Sequence, residues 1–343
     1  MYSQPTFWTE STESLKLLYA IQGTGNGHLA RAIELAPYLC EKAEVDFLIS
    51  GRAAELKFPH RFSFNYHGLF FFFGKKGGVD YIRSIKSLRP LRLVKDIINC
   101  PVRQYDAIVN DFEPVSAWSA RLKGRRCIAV SHQASFNSEK VPRPARRNRL
   151  FEFGMKRFAP STDYVATHYK AYDDNIFLPV IRKELIDAPR STGDHVVVYL
   201  PAFGDELLIS HFNKVPNQKW KVFSKKTTRP YTEGQVDVYP VSRQEYSQAL
   251  LNARAVVIGS GFQGTSEALY LGKKMLTIPM YDQYEQLCNA AALEEMGVPV
   301  VLKIEEGFSE VLAEWLAEPD RCNYRFQPDP AAMAERILSL VKP

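Results

Sequence analysis

The residues best equipped for chemistry begin at Gly23. The hexapeptide GTGNGH sets three glycines behind an apolar run and ends in His28. Glycines there let backbone N–H groups approach an anion or a substrate closely where a helix starts, which makes Gly25 and Gly27 candidate diphosphate contacts. No Lys-Ser/Thr follows, so this is no P-loop. GxGxxA is present as Gly25, Gly27 and Ala30, but Asp46 starts the next apolar run, whereas ribose recognition in a dinucleotide site wants the acid at its end. His28 falls in the first turn of a helix, whose dipole disfavours imidazolium, so a neutral ring could accept a proton near neutral pH. Asp111, at the end of DAIVND, could orient that ring or act as the base itself, while Glu113 reads as a loop acid.

A second cluster runs from Gly259 to Glu267, GSGFQGTSE. Its backbone and hydroxyl donors at Gly261, Phe262, Gly264, Thr265 and Ser266 suit a diphosphate at a helix N-terminus, and the carboxylate of Glu267 suits the vicinal hydroxyls of a ribose. Downstream, Glu285, Gln286 and Asn289 offer bidentate bonds to neighbouring sugar hydroxyls, and Asp282 is the best helix cap. Together these read as a site for a nucleotide diphosphate sugar, taken as a cosubstrate, with no cofactor. No DxD or Cys/His spacing marks a metal.

Such residues need strand ends to hold them. LKLLYAI (Leu15 to Ile21), VDFLIS (Val45 to Ser50), DAIVND (Asp106 to Asp111) and CIAVSH (Cys127 to His132) read as strands, with YVATHY around Val165 as the last of this half. VVVYLPA, KWKVFS, QVDVYPV and ARAVVIG, alternating with helices, form a second parallel set, and PAAMAERILSLV closes as a helix. The predicted organisation is a tail at 1–13, a first α/β domain at 14–183, a linker at 184–194, a second α/β domain at 195–325, and a helix within 326–343.

The chain has 343 residues, 45% apolar and 24% charged, which excludes a disordered or fibrous protein. Its five cysteines are widely spaced and fit a reducing compartment. The N-terminus lacks the pattern of a signal peptide and no run reaches the length of a membrane span, so a cytoplasmic location is expected. Charge is divided: 28 Lys and Arg against 17 Asp and Glu up to Lys183, then 16 against 21. Between Lys75 and Asn99, Ile82, Ile85, Leu88, Leu91, Val94 and Ile97 recur every three residues beside Arg83, Lys86, Arg89 and Arg92. That is an amphipathic helix which Pro90 should kink or split. Its basic face could hold an anionic acceptor or rest on the inner face of a membrane. Nucleic acid is not expected, because no recognition-helix, RRM or zinc signature is present.

IGSGFQGTSEALYLGKKMLTIPMYDQYEQLCNAAALEEMG closely resembles the donor-binding motif of GT-B glycosyltransferases, especially the group containing the MurG N-acetylglucosaminyltransferase and the bacterial and plant UDP-sugar transferases. Gly261, Glu267, Gly272, Pro279, Glu285, Gln286, Asn289 and Ala290 carry the match, and GTGNGHLARAIELA resembles the N-terminal motif of the same superfamily. Lys274 stands where the motif has Pro, and the plant-type HCG is absent. The resemblance implies an α/β GT-B fold, two Rossmann-like domains with parallel sheets facing a cleft, with the acceptor held mainly by 14–183, the nucleotide sugar by 195–325, and the helix within 326–343 returning toward the first domain. It implies metal-independent, inverting transfer of a hexose from a UDP-sugar to a hydroxyl of a lipid-linked, glycan or small-molecule acceptor in cell-envelope glycan synthesis. A nucleotide-sugar epimerase and a catalytically silent nucleotide-sugar-binding or membrane-peripheral protein are the alternatives.

Overall fold

The computed structural model describes residues 14–24, 26–51, 57–69 and 89–341. Gly25, Arg83 and Lys86 lie outside them, as do the tail at 1–13 and the aromatic run beyond Leu69. Two six-stranded sheets dominate. The first has the order β3-β2-β1-β4-β5-β6, from β1 (Lys16–Gln22), β2 (Glu44–Ser50), β3 (Phe62–Tyr66), β4 (Ala107–Asp111), β5 (Cys127–Ala129) and β6 (Asp163–Tyr164), all parallel. After a short ribbon of β7 (Ala166–Thr167) and β8 (Ile176–Phe177), the other sheet uses β9 (His195–Tyr199), β10 (Lys219–Ser224), β11 (Tyr231–Glu233), β12 (Val236–Pro240), β13 (Ala255–Ile258) and β14 (Lys274–Thr277) in the order β11-β12-β10-β9-β13-β14. Only β11 in it runs antiparallel.

Strands buried on both faces need continuous apolar runs rather than alternation, and Leu17 to Ile21 are all buried. The Asn26–Cys40 helix covers them with Leu29, Leu35 and Leu39, and the Pro330–Val341 helix adds Met333, Ala334, Ile337 and Leu338 to the same core. Full burial of each such large apolar side chain contributes about 1.5–3 kcal/mol. The connection at 184–194 is packed at its start: Leu185 joins Tyr169, Val256, Phe262 and Leu269 in one cluster.

In each sheet the chain reverses direction of travel beside its first strand, between β1 and β4 and between β9 and β13. Such reversals open a crevice at the carboxyl ends of the strands. The first receives the turn after Gln22 and the end of β4 at Asp111, and the second receives the ends of β9 and β13.

Several local expectations change. β5 stops at Ala129, because Ser131 accepts a hydrogen bond from the Ala134 amide and caps a short 3₁₀ turn, His132–Asn137. The strand expected around Val165 divides: Asp163–Tyr164 stays in the sheet, and Ala166–Thr167 pairs with Ile176–Phe177 in a separate ribbon. Pro90 neither kinks nor splits the described helix but begins it, spanning Pro90–Asn99, where a missing N–H costs nothing. Leu93 and Ile97 pack on the sheet, while Leu91, Val94 and Ile98 are 88%, 54% and 58% exposed. A spacing of three falls about 60° short of a full turn at each step, so that stripe winds off the buried face, whereas the i, i+4 pair stays on it. No described helix is long and apolar enough to cross a membrane.

Candidate active site

His28 is the third residue of the Asn26–Cys40 helix, and Arg31 lies one turn further on the same face. Both reach the end of β4. Asp111 accepts from Arg31 Nε at 2.8 Å and Nη2 at 2.6 Å, and its Oδ1 lies 2.7 Å from His28 Nδ1. Burial pushes the Asp111 carboxyl up, but Arg31 and His28 outweigh it and hold the group below its ordinary value. An ionised carboxylate can only accept, so the facing Nδ1 carries the imidazole proton and Nε2 is the basic nitrogen. Asp111 is fully buried and its oxygens are engaged, so of its two expected roles the geometry serves orientation. The next residue, Phe112, adopts φ 58° and stacks on the His28 ring at 6.2 Å, a strained conformation for a bulky side chain. Glu113 caps the Pro114–Leu122 helix, accepting from the Val115 and Ser116 amides at 2.7 and 2.6 Å.

A cavity of about 700 Å³ lies between the two crevices, with Gly27, His28 and Arg31 on one wall and Gly261, Gly264 and Glu285 on the other. Gly261 caps the Phe262–Tyr270 helix, so the helix N-terminus meets the cavity. A Cβ on Gly261 or Gly264 would meet nothing within 4 Å; the backbone there is open to an anion, which the helix dipole favours. Phe262 lines the cavity but stacks at 3.8 Å on His132, itself bonded through Nδ1 to the Thr167 carbonyl and through Nε2 to Asn289 Oδ1. Burial lowers the His132 pKa.

Four expected contacts lie elsewhere. Thr265 directs its hydroxyl to the Gly261 and Phe262 carbonyls and to Tyr169, and Ser266 is buried. Glu267 is held bidentately by Arg182, with Nε to Oε1 at 2.7 Å and Nη2 to Oε2 at 2.8 Å, so its carboxylate is not offered to a ribose. Only the first turn of this helix fronts the crevice, and the next residues rotate into the core. Asn289 is buried too, donating to the Ser260 carbonyl at 3.0 Å, and braces the loop rather than facing a sugar. Asp282 is not the cap: Gln283 holds the N-cap position of the Tyr284–Glu294 helix, without a capping side-chain hydrogen bond. In contrast, Glu285 and Gln286 do line the cavity, Glu285 accepting from Gln133 at 3.0 Å. Gln263, Gln133, His132 and Arg31 also line the cavity, as do Lys225 and Tyr246, and the sequence did not mark them; for Arg31, the i, i+3 spacing from His28 was the available signal.

A second cavity of about 560 Å³ shares Thr24, His28, Gln133 and Glu285 with the first. Its far wall is apolar: Phe112, Leu150, Phe151, Met155 and Phe158. The helix that carries most of this wall is anchored by an ion-pair cluster. Arg143 and Arg147 both bind Glu152, which burial pushes up but Arg147, Tyr284 and Arg143 hold down at about 2. Of the expected basic face on the Pro90–Asn99 helix, Arg89 and Arg92 are exposed and away from both cavities. Among the described residues, no three His, Cys, Asp or Glu side chains gather to hold a metal ion.

Two Rossmann-like domains with parallel sheets, meeting across such a cleft, define the GT-B class. The chain belongs to the family described as Glycosyl transferase family 1, whose profile matches residues 15–318. It is a glycosyltransferase that uses a nucleotide sugar. No curated protein matches. Among solved structures, the spinosyn forosaminyltransferase SpnP is similar with a TM-score of 0.62 at 15% identity, covering 96% of this chain and 100% of that one. UGT89C1 of Arabidopsis thaliana, complexed with UDP-L-rhamnose, is similar with a TM-score of 0.58 at 15% identity over 96% and 95%. MurG of Acinetobacter baumannii gives 0.56 at 13% identity over 95% and 99%. At these identities the likeness concerns the fold.

Proposed function

We propose that this chain transfers a hexose-type sugar from a UDP-sugar to a hydroxyl of an acceptor seated in the second cavity, with inversion. The observation that carries this reading is His28, which lines both cavities while Asp111 fixes its Nδ1. Nε2 takes the proton as the acceptor oxygen bonds to the anomeric carbon. The bond from that carbon to the diphosphate oxygen breaks, and the electron pair leaves with the diphosphate. Backbone at Gly261 and Gly264, across the cavity from Gly27, receives the charge at a helix N-terminus. Glu285 and Gln286 hold hexose hydroxyls. General-base assistance of this kind contributes on the order of 10²–10⁴-fold. A uridine donor is supported by relatives of the same fold solved with UDP and with UDP-L-rhamnose. In this reading residues 14–183 serve the acceptor and 195–325 the donor.

Calorimetry with UDP and a panel of UDP-sugars tests the donor site, followed by an assay of UDP release with acceptors. UDP bound with native affinity by His28→Ala, which no longer turns over, is the expected result. Negligible binding of every nucleotide and nucleotide sugar would overturn it, and a C2 epimer formed without UDP release would identify an epimerase. A second reading concerns location: exposed Leu91, Val94 and Ile98 lie beside exposed Arg89, Arg92 and Lys95. That combination suits an anionic bilayer, such as the inner face of the cytoplasmic membrane, with about 1 kcal/mol of attraction for each basic residue near the surface.

A further inference from the structure

We propose that Gly154 is a specificity-determining residue, a notch in the acceptor wall that admits a ring-bearing apolar alcohol. This rests on reading the second cavity as the acceptor side. The Arg149–Phe158 helix contributes Leu150, Phe151, Gly154, Met155 and Phe158 to that cavity. At about 100° per residue these occupy one continuous face. Gly154 sits in its middle, one turn after Leu150 and one turn before Phe158.

Nothing in the backbone requires glycine at this position. Its φ is not in the left-handed range, and a Cβ would meet no atom within 4 Å, so no neighbouring chain presses against it. Glycine weakens a helix interior relative to alanine. The structural effect of its missing side chain is therefore empty space, facing the cavity and bordered by apolar groups. The helix cannot readily lean inward to fill that space. Two residues before the notch, buried Glu152 accepts from Arg143 Nε at 3.0 Å, Arg147 Nη2 at 2.6 Å and the Tyr284 hydroxyl at 2.7 Å. Tyr284 belongs to the helix that carries Glu285, so the wall is tied to the donor side of the cleft.

The surroundings select the ligand chemistry. Phe158 stacks on Phe112 at 4.7 Å, and Phe112 on His28, so an aromatic layer leads from the notch to the basic nitrogen. A ring placed in the notch could direct a hydroxyl toward His28, with Gln133 and Glu285 beside it, while the Arg149–Phe158 helix brings no polar side chain to the cavity. A sugar laid on that helix face would set hydroxyls against Phe151, Met155 and Phe158, which offer them no hydrogen bond.

Saturation-transfer NMR with 2-naphthol as probe, and methyl β-glucoside as the polar comparison, tests this on the full chain, with and without UDP. Native protein should bind 2-naphthol in preference to the glucoside. Gly154→Leu should weaken 2-naphthol at least about tenfold, the scale on which a pocket rejects extra methylenes, and Gly154→Ala should do so less. UDP affinity should stay within about twofold, and melting temperature should not fall, since both substitutions favour the helix. Phe153→Ala, on the opposite side of the same helix, should leave 2-naphthol binding unchanged. Equal 2-naphthol binding by the native and Gly154→Leu proteins, or preference for the glucoside, would overturn the proposal. Because the 2-naphthol comparison is also made without UDP, failure to bind UDP strikes the donor reading and leaves the Gly154 result readable.

Discussion

Replacing Arg182 by methionine should strip the counter-charge from Glu267 while keeping most of the aliphatic volume. Both side chains are almost fully buried, at 8% and 3% exposure, and meet through two hydrogen bonds. Removing one partner of such a pair leaves a desolvated charge and costs about 3–5 kcal/mol. The additional contact of Arg182 with Glu184 adds little, because Glu184 is 43% exposed. Gln263, which donates to Glu267 at 2.8 Å, offsets a small part of the loss. A loss of that size lowers melting temperature by roughly 10 °C or more. Urea unfolding of Arg182→Met, Glu267→Leu and the double variant measures this. The double variant should recover much of the loss, as apolar replacements of buried pairs do. UDP affinity should change little in whichever variants fold. A native melting temperature in Arg182→Met, together with a tenfold loss of UDP affinity in Glu267→Gln, would show that the carboxylate serves the ligand and not the fold.

His28→Ala should lower turnover by about 10²–10⁴-fold at unchanged UDP affinity; Asp111→Asn should approach the same loss by releasing the tautomer, and native turnover in His28→Ala would remove histidine from the chemistry. Burial lowers the pKa of His168, whose Nδ1 accepts from the Tyr169 amide at 2.8 Å, so its neutral form is the native one. Stability is then complete above the ordinary His value of about 6.5 and is lost as pH falls below it. His168→Phe should flatten that acid limb in melting-temperature profiles between pH 7.5 and 5, and an unchanged limb would argue against it. Gly154→Ala should raise stability by up to about 1 kcal/mol, read by denaturant unfolding. Arg89→Gln with Arg92→Gln should weaken sedimentation with anionic liposomes at low salt; a native protein that ignores such liposomes would end the membrane reading.

Glycines behind apolar runs located both crevices from the sequence, because a strand that meets Gly23 or Gly259 can do little but turn at a sheet edge. The helix starting near His28 was legible for the same reason. What the sequence could not convey was which way each side chain turns after the first helical turn. Glu267 matches the motif in spacing, yet its rotation around the helix carries it to Arg182, 85 positions earlier. Asn289 likewise meets His132 across 157 positions, a pairing no local pattern records. The charge split was real in number but weaker in meaning, since Arg143 and Arg147 are paired with Glu152 and Glu139.

The Pro330–Val341 helix has a consequence for the order of events on the ribosome. It fills a core laid down by Leu29, Leu35 and Leu39 some three hundred residues earlier. At ~5–20 residues per second, the stretch from the end of the first sheet to this helix takes roughly ten to thirty seconds to emerge. During that interval the nascent first half holds an uncovered apolar face and must wait, or be shielded by a chaperone. The second sheet is covered by Phe308, Leu312, Trp315 and Phe326, which emerge before that helix, so the portion made last can complete its core before the portion made first.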